Sequence, residues 1–518
     1  MQGDSKMFIN NDISKNNKRI AKNTLLLYVR MLFIMVVSLF TSRVILKTLG
    51  VEDFGIYNVV GGVVAIMGLV NSAMGSATSR YLTFELGRGN KDTLRKTFSI
   101  CFEIYIILAV LFIIIAETVG LWFLNTQLTI PSERMEAANW VYQFSIFSVV
   151  NNLLVNPYNA SIIAHEKMGV YAYVSIIEAI LKLLIAYAII ILPYDRLSSY
   201  GFLYLIMSLA VTMIYRIYCT RNFEECRLHF YYDKMLMKRI FSFSGWTLFG
   251  AVAVMVKGQG LNILLNMFFN PSVNASRGIA YQINTNLVKF SDNFYTAVRP
   301  QITKYYAQGD IHNMLKLVFR SSKFIYFLLL CLALPILIET PAIINLWLGQ
   351  SPEYVVEFAR LIIIISIIDS LAHPIMTSIN ATGHIAMYQF LMGLITILNL
   401  PVSFYLLKKG SNPLTVFEVS VILTTLCYIV RLFLLKKQLP EFSIIKFFRH
   451  VIVIILLTTL CSATIPFILS YIMEDSIFNC LIICGISIIC SLASILSLGL
   501  NKDERTVILN YIVKRIKK

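Results

Sequence analysis

From Ser76 the chain reads S-A-T-S-R-Y-L-T-F-E-L-G-R-G-N-K-D, and from Tyr295 it reads Y-T-A-V-R-P-Q-I-T-K-Y-Y-A-Q-G-D. Each stretch leads into a long apolar run, one from Phe98 and the other from Phe324. Arg80 thus corresponds to Arg299, and Gly89-Asn90 to Gly309-Asp310. Further on, N-P-Y-N-A-S-I-I-A from Asn156 matches H-P-I-M-T-S-I-N-A from His373, which pairs Pro157 with Pro374, Asn152 with Asp369 and Tyr171 with Tyr388. Leu121-Trp122 matches Leu346-Trp347, and Arg216 matches Arg431. Ordered matches of Arg, Gly, Pro and Trp over so long a stretch do not arise from apolar composition alone. The chain is a duplication.

Composition says what is duplicated. Of 518 residues 57% are apolar and 14% are charged, against about 25% charged in a soluble domain. Mean hydropathy is +0.72. A soluble enzyme, a nucleic-acid-binding domain and a disordered chain are all excluded. What remains is an all-α polytopic membrane protein, because a bilayer takes runs of about 20 apolar residues. Fourteen candidate spans lie near 24–46, 54–78, 97–124, 138–162, 169–192, 197–219, 241–266, 279–299, 315–338, 355–379, 386–407, 414–435, 451–472 and 478–499. The eighth is so polar that hydropathy alone misses it. Charge recovers it: 30 of the 45 basic residues fall in the tails and alternate loops of one side and six on the other. Such a bias marks the cytoplasmic side and places both termini there. The expected organisation is a cytoplasmic tail (1–23), an N-lobe (24–219), a linker (220–240), a C-lobe (241–437), two added spans (438–500) and a basic amphipathic tail (501–518). Six spans per repeat put both halves the same way round, about an axis along the membrane normal. Two such bundles facing a central cavity suit alternating access.

Polar residues inside spans are costly and face water, a partner helix or a ligand. Span 8 carries Gln282, Asn286, Lys289, Asn293 and Thr296 at helical spacing, with Asp292 beside them. Span 4 offers Asn152 and Asn156, and its repeat partner span 10 offers Asp369 and His373. All of these are expected to line the cavity, with helix contact as the structural alternative. The small face of span 2 (Gly61, Ala65, Gly68, Ser72, Gly75) reads as close helix packing. Arg216, Arg299, Arg360 and Arg431 sit near helix ends and can snorkel. Arg30 and Lys257 lie deeper, in spans 1 and 7, where a cation costs about 2.5–3.5 kcal/mol. They rank first as anion ligands, ahead of Lys289, which Asp292 is placed to neutralise, and of Arg43. Glu178 and Lys182 are four apart, the favourable order for a local pair. No phosphate-binding loop, catalytic triad, CxxC pair or metal-ligand spacing occurs, so no enzyme, no cofactor and no metal are expected. The nine cysteines read as packing residues, and nucleic acid is not an expected partner.

Together, the N-T-L-L-L-Y-V-R opening of the first span, L-G-V-E-D-F-G-I-Y-N-V-V from Leu49, A-T-S-R-Y-L from Ala77 and the six-plus-six repeat resemble the polysaccharide-flippase branch of the multidrug/oligosaccharidyl-lipid/polysaccharide exporter superfamily. The resemblance implies two six-helix lobes around a cavity, with two further helices, in a bacterial inner membrane. It implies flipping of an undecaprenyl-diphosphate-linked oligosaccharide, an O-antigen (lipopolysaccharide) or capsule repeat unit. Membrane lipids and the polysaccharide polymerase machinery are the other implied partners. A diphosphate calls for Arg or Lys in the cavity. The rival from the same superfamily, a cation-coupled multidrug exporter, calls for acidic cavity residues and usually twelve spans. A scaffold or receptor-like protein gives no reason for the span 8 stripe.

Overall fold

The structure, a computed structural model, describes residues 2–65, 67–128, 130–349, 352–474, 476–501 and 504–506. Helices make up both of its compact units, and no strand occurs among the described residues. The first unit ends at Ala251 and the second begins at Val252. The first holds α1 (Gln2–Ala65), α2 (Met67–Arg88), α3 (Lys91–Ile115), α4 (Leu121–Thr126), α5 (Met135–Ala164), α6 (Met168–Ile191), α7 (Arg196–Asn222) and the start of α8 (Lys234–Phe268). The second holds the rest of α8, then α9 (Pro271–Ala307), α10 (Ile311–Ile338), α11 (Thr340–Leu348), α12 (Val355–Thr382), α13 (Ala386–Ile397), α14 (Asn399–Lys408) and α15 (Thr415–Gln438). Beyond these come α16 (Ile444–Phe447), α17 (Val453–Ile472) and α18 (Ile477–Ser494).

Large apolar side chains lie open to the surroundings along these helices: Leu39 is 67% exposed, Ile191 85% and Tyr471 91%. In water such a surface would aggregate; in lipid it is the outer wall. By length and composition, ten helices among the described residues can cross a membrane. The expected spans 2, 4, 8 and 10 are not among those ten. Helices α2, α5, α9 and α12 stand there, 22, 30, 37 and 28 residues long. They reach the roughly 20 residues a bilayer needs, but polar side chains interrupt their apolar runs.

The duplication shows in local stereochemistry. Gly89 and Gly309 end α2 and α9 with φ of 74° and 75°, a left-handed turn that glycine makes without strain. The next residue caps the following helix: Asn90 Oδ1 accepts the Asp92 and Thr93 N–H groups at 3.1 and 3.2 Å, and Asp310 Oδ1 accepts the Asn313 N–H at 3.1 Å. Two residues beyond α5 and just after α12, Glu166 and Gly383 share a positive φ, 59° and 83°. Glu166 holds that conformation because Arg19 pairs with its carboxylate at 2.7 Å and Asn23 donates to its carbonyl at 3.1 Å.

Several boundaries differ from expectation. The described part of the polar tail, residues 2–23, belongs to α1, which bends at Gly50 (φ 82°). The linker at 220–240 does not separate the units; the division falls inside α8, whose Ile240 and Phe243 pack in the first unit with Met74, Ile100 and Tyr81. The span at 386–407 is two helices, because Pro401 cannot donate to the Ile397 carbonyl and its ring crowds that group. On the small face of span 2, a Cβ at Gly75 would lie 3.1 Å from Asn156 Nδ2, whereas one at Gly61 or Gly68 would meet nothing within 4 Å. Of these three glycines, Gly75 is the one that packs closely. Of the expected amphipathic tail, Val507 onward lies outside the described residues.

Ion pairs tie the helix ends. Arg134 spans Asp53 and Asp195, at 2.5 and 2.7 Å, joining the segment after Gly50 to the entries of α5 and α7. In the second unit Glu504 pairs with Arg320 at 2.9 Å and Lys323 at 3.2 Å. That fixes the chain leaving α18 onto α10.

Candidate functional site

Each unit contains a polar cavity, and the two share equivalent helices of the repeat, α5 and α7 in the first answering to α12 and α15 in the second. In the first unit α1, α5, α6 and α7 enclose about 140 Å³. Arg30 enters from α1 with its guanidinium carbon 4.4 Å above the Tyr171 ring centroid and Nη2 3.4 Å from the hydroxyl. Its buried Nε has no hydrogen-bond partner. The cavity's one carboxylate among the described residues, Glu178, is taken by Lys182 at 2.7 Å, the local pairing expected from their spacing. Arg30 thus keeps an unbalanced positive charge, steadied by a cation–π contact of about 0.5–2 kcal/mol. Asn152 and Asn159 face it from α5.

In the second unit α9, α12 and α15 enclose about 460 Å³. Here the charges cancel. Arg431 pairs with Asp369 at 3.2 Å, and Lys289 and Asp292 both line the wall. His373 packs against Tyr295, ring centroids 4.8 Å apart, with Nδ1 3.9 Å from the Asp292 carboxylate and without a hydrogen-bond partner. Position for position, Asn152 of the first cavity has become Asp369 in the second. Tyr171, which carries Arg30, corresponds to Tyr388, which lies beside Arg431. The cation beside the equivalent tyrosine comes from the first helix in one unit and from the last of the repeat in the other.

Of the residues singled out in the sequence, the cavities bring together Arg30 and Asn152 in one, and Lys289, Asp292, Asp369 and His373 in the other. Asn156 instead bonds Asn71 of α2, to the carbonyl at 3.1 Å and to Oδ1 at 2.5 Å. Gln282 and Asn286 are exposed on α9, where Asn286 donates to the Gln282 carbonyl at 3.2 Å. Asn293 donates to the Lys289 carbonyl at 2.9 Å. The stripe satisfies its own backbone. Lys289 reaches Asn286 at 3.2 Å rather than pairing with Asp292, which turns toward His373. Lys257 is half-buried on α8, within electrostatic range of Asp369 and Cys427, and pairs with no carboxylate among the described residues. Arg43 is exposed on α1.

Two readings change. Arg431 does not snorkel but is the ion-pair partner of Asp369 in the cavity wall. Arg360 donates to the Leu337 and Ile338 carbonyls at 3.0 and 3.3 Å, closing the end of α10. Ser366, on the same polar stripe of span 10 as Asp369 and His373, also lines the wall, while sequence reasoning missed Asn284 and Ser370. The signal lay one register over on α9: Asn284, Val288 and Ser291 follow the same helical spacing on the face turned to α12.

The class of protein that these features define is a polytopic helical membrane protein built from a duplicated bundle. The MatE family model matches residues 27–188. An outward-facing multidrug resistance MATE family transporter of the MOP superfamily superposes with TM-score 0.70 at 13% identity, over 83% of this chain and 97% of that one. A MATE protein in a bent conformation gives 0.70 at 10% identity, over 82% and 96%. A MOP superfamily transporter from Pyrococcus furiosus Vc1 (DSM3638), for which reverse polarity of the binding pocket suggests a different function, gives 0.65 at 12% identity, over 81% and 96%. No curated protein matches the chain. The fold is that of the MATE transporters.

Proposed function

We propose that this chain is a flippase that carries an undecaprenyl-diphosphate-linked oligosaccharide, such as an O-antigen or capsule repeat unit, from the cytoplasmic to the periplasmic leaflet by alternating access. The observation that carries the reading is Arg30, a half-buried cation whose cavity offers it no carboxylate. A diphosphate supplies the missing anion, through charge-assisted hydrogen bonds that a planar guanidinium makes well. Lys257, in the second unit, is a further half-buried cation that pairs with no carboxylate among the described residues and suits an anionic substrate in the same way. An exporter of organic cations has no use for either. The MATE fold supports transport as the mode of action, and the Pyrococcus furiosus relative shows that pocket polarity can vary within the superfamily. On this reading the protein sits in a bacterial inner membrane with both termini cytoplasmic, beside the polymerase that consumes the flipped unit. The exposed apolar faces of α17 and α18 (Leu460, Phe467, Ile489) suit a long polyprenyl tail.

Deleting the gene and analysing membrane lipids tests the proposal. The expected result is lipid-linked oligosaccharide accumulating on the cytoplasmic leaflet and loss of the surface polymer. Normal surface polysaccharide beside lost drug resistance would overturn it in favour of the exporter.

A further inference from the structure

We infer that the cavity between α9 and α12 in the second unit is a carbohydrate subsite that takes a neutral, polyhydroxylated glycan segment. The inference rests on the flippase reading and adds where the sugar, as distinct from the diphosphate, is held. About 460 Å³ falls in the range of small-molecule sites, about 300–1,000 Å³, and is far more than an ion fills.

The wall is made for hydroxyl groups. Asn284 is 8% exposed and lines the cavity with its Oδ1 unpartnered. His373 lines the cavity from the opposite helix, and its buried Nδ1 has no hydrogen-bond partner. A sugar hydroxyl donates and accepts, so it can satisfy the amide oxygen and either tautomer of the imidazole. Ser366 and Ser370 add two more groups of the same kind on α12.

Charge excludes the other ligands. Among the lining side chains Asp369 and Asp292 balance Arg431 and Lys289. Lys257, though within electrostatic range of Asp369, is not one of them, so the lining carries no net charge to draw a diphosphate or a lipophilic cation. Its apolar lining is Val288, Ala372 and Met376, with no Phe, Tyr or Trp among the described residues, whereas sites for apolar drugs are predominantly apolar and aromatic. A neutral glycan remains.

Calorimetry on the purified full chain in detergent tests this with two probes. One is the free oligosaccharide released by mild acid from the lipid-linked pool of cells lacking the gene; the other is undecaprenyl diphosphate. The expected result is that the free oligosaccharide binds and that Asn284→Ala and Ser366→Ala each weaken it about 5- to 10-fold, the value of one hydrogen bond. Both variants should weaken the glycan more than they weaken undecaprenyl diphosphate. Asp369→Asn should weaken it too, but it also strips Arg431 of its partner, so the first two variants carry the test. Glycan binding that both variants leave unchanged would overturn the subsite. So would binding of undecaprenyl diphosphate without any binding of the free glycan, which leaves the flippase reading standing. Failure of both probes to bind would count against the flippase reading itself.

Discussion

Gly120 closes a π-turn (Ala116–Gly120) between α3 and α4, and the Tyr142 hydroxyl packs against it. The Ala116 carbonyl, which also accepts the Leu121 N–H, accepts the Tyr142 hydroxyl at 2.8 Å in a fully buried contact. A Cβ at Gly120 would fall inside the van der Waals radius of that hydroxyl, while the next ring atom, Cζ, would be 3.3 Å away and the Ile115 carbonyl 3.9 Å. Gly120→Ala must therefore expel the hydroxyl. It loses the hydrogen bond, about 0.5–1.5 kcal/mol, and overpacks the site, about 1–3 kcal/mol, so the expected cost is about 2–4 kcal/mol. Tyr142→Phe alone removes that hydrogen bond while the carbonyl keeps the Leu121 N–H, at about 0.5–1.5 kcal/mol. In the double variant the added methyl takes the space of the missing oxygen, with Cζ able to give by a few tenths of an ångström. The pair should then cost little more than Tyr142→Phe, with a favourable coupling of about 1–3 kcal/mol. Thermal unfolding of the purified variants in detergent, followed by tryptophan fluorescence, measures this. A double variant no more stable than Gly120→Ala would refute the reasoning.

Arg30→Ala should weaken undecaprenyl diphosphate binding about 10- to 100-fold, as expected for a charge-assisted contact of about 1.5–3 kcal/mol, with normal protein levels and reduced surface polysaccharide; Lys257→Ala should act in the same direction. Binding unchanged in the Arg30→Ala, Lys257→Ala double variant would show that these cations do not recognise the lipid. Acid should open the Arg134 clamp: burial pushes the Asp195 carboxyl up, but the Ser198 N–H and the Arg134 guanidinium outweigh it and hold it below the usual range. A depressed folded-state value means stability present above the unfolded value, about pH 4, and lost as pH falls below it; Asp195→Asn should flatten that acid limb in a melting series. Burial likewise raises the Glu504 carboxyl, while the Asn501 N–H and the Lys323 and Arg320 cations more than reverse this. Glu504→Gln strands Lys323, whose side chain is 4% exposed, so α18 should loosen from α10, seen as faster tryptic cleavage near Arg505. A chain ending at residue 501 should loosen in the same way.

Composition and charge placement were enough to make this chain a membrane protein, because lipid demands apolar runs that no soluble core demands. The repeat was equally legible. Its markers, Gly89 with Gly309, Asn90 with Asp310 and Pro157 with Pro374, act within one or two turns of backbone, where sequence spacing and spatial spacing coincide. Arg30 could be singled out for the same kind of reason, since a cation deep in an apolar run needs a partner wherever the helix lies. What the partner is depends on rotation about the helix axis, and that is decided by packing. Asn156 sits one turn from Asn152 on α5, yet it bonds Asn71 while Asn152 faces the cavity. Lys289 passes by Asp292 for Asn286, and Asp292 turns to His373 on another helix. Arg431, which reads as a snorkelling helix end, meets Asp369 only because α15 packs on α12. Hydropathy sees how polar a helix is; only the tertiary structure decides which of its polar groups share a wall, because those contacts join residues some 60 to 150 positions apart.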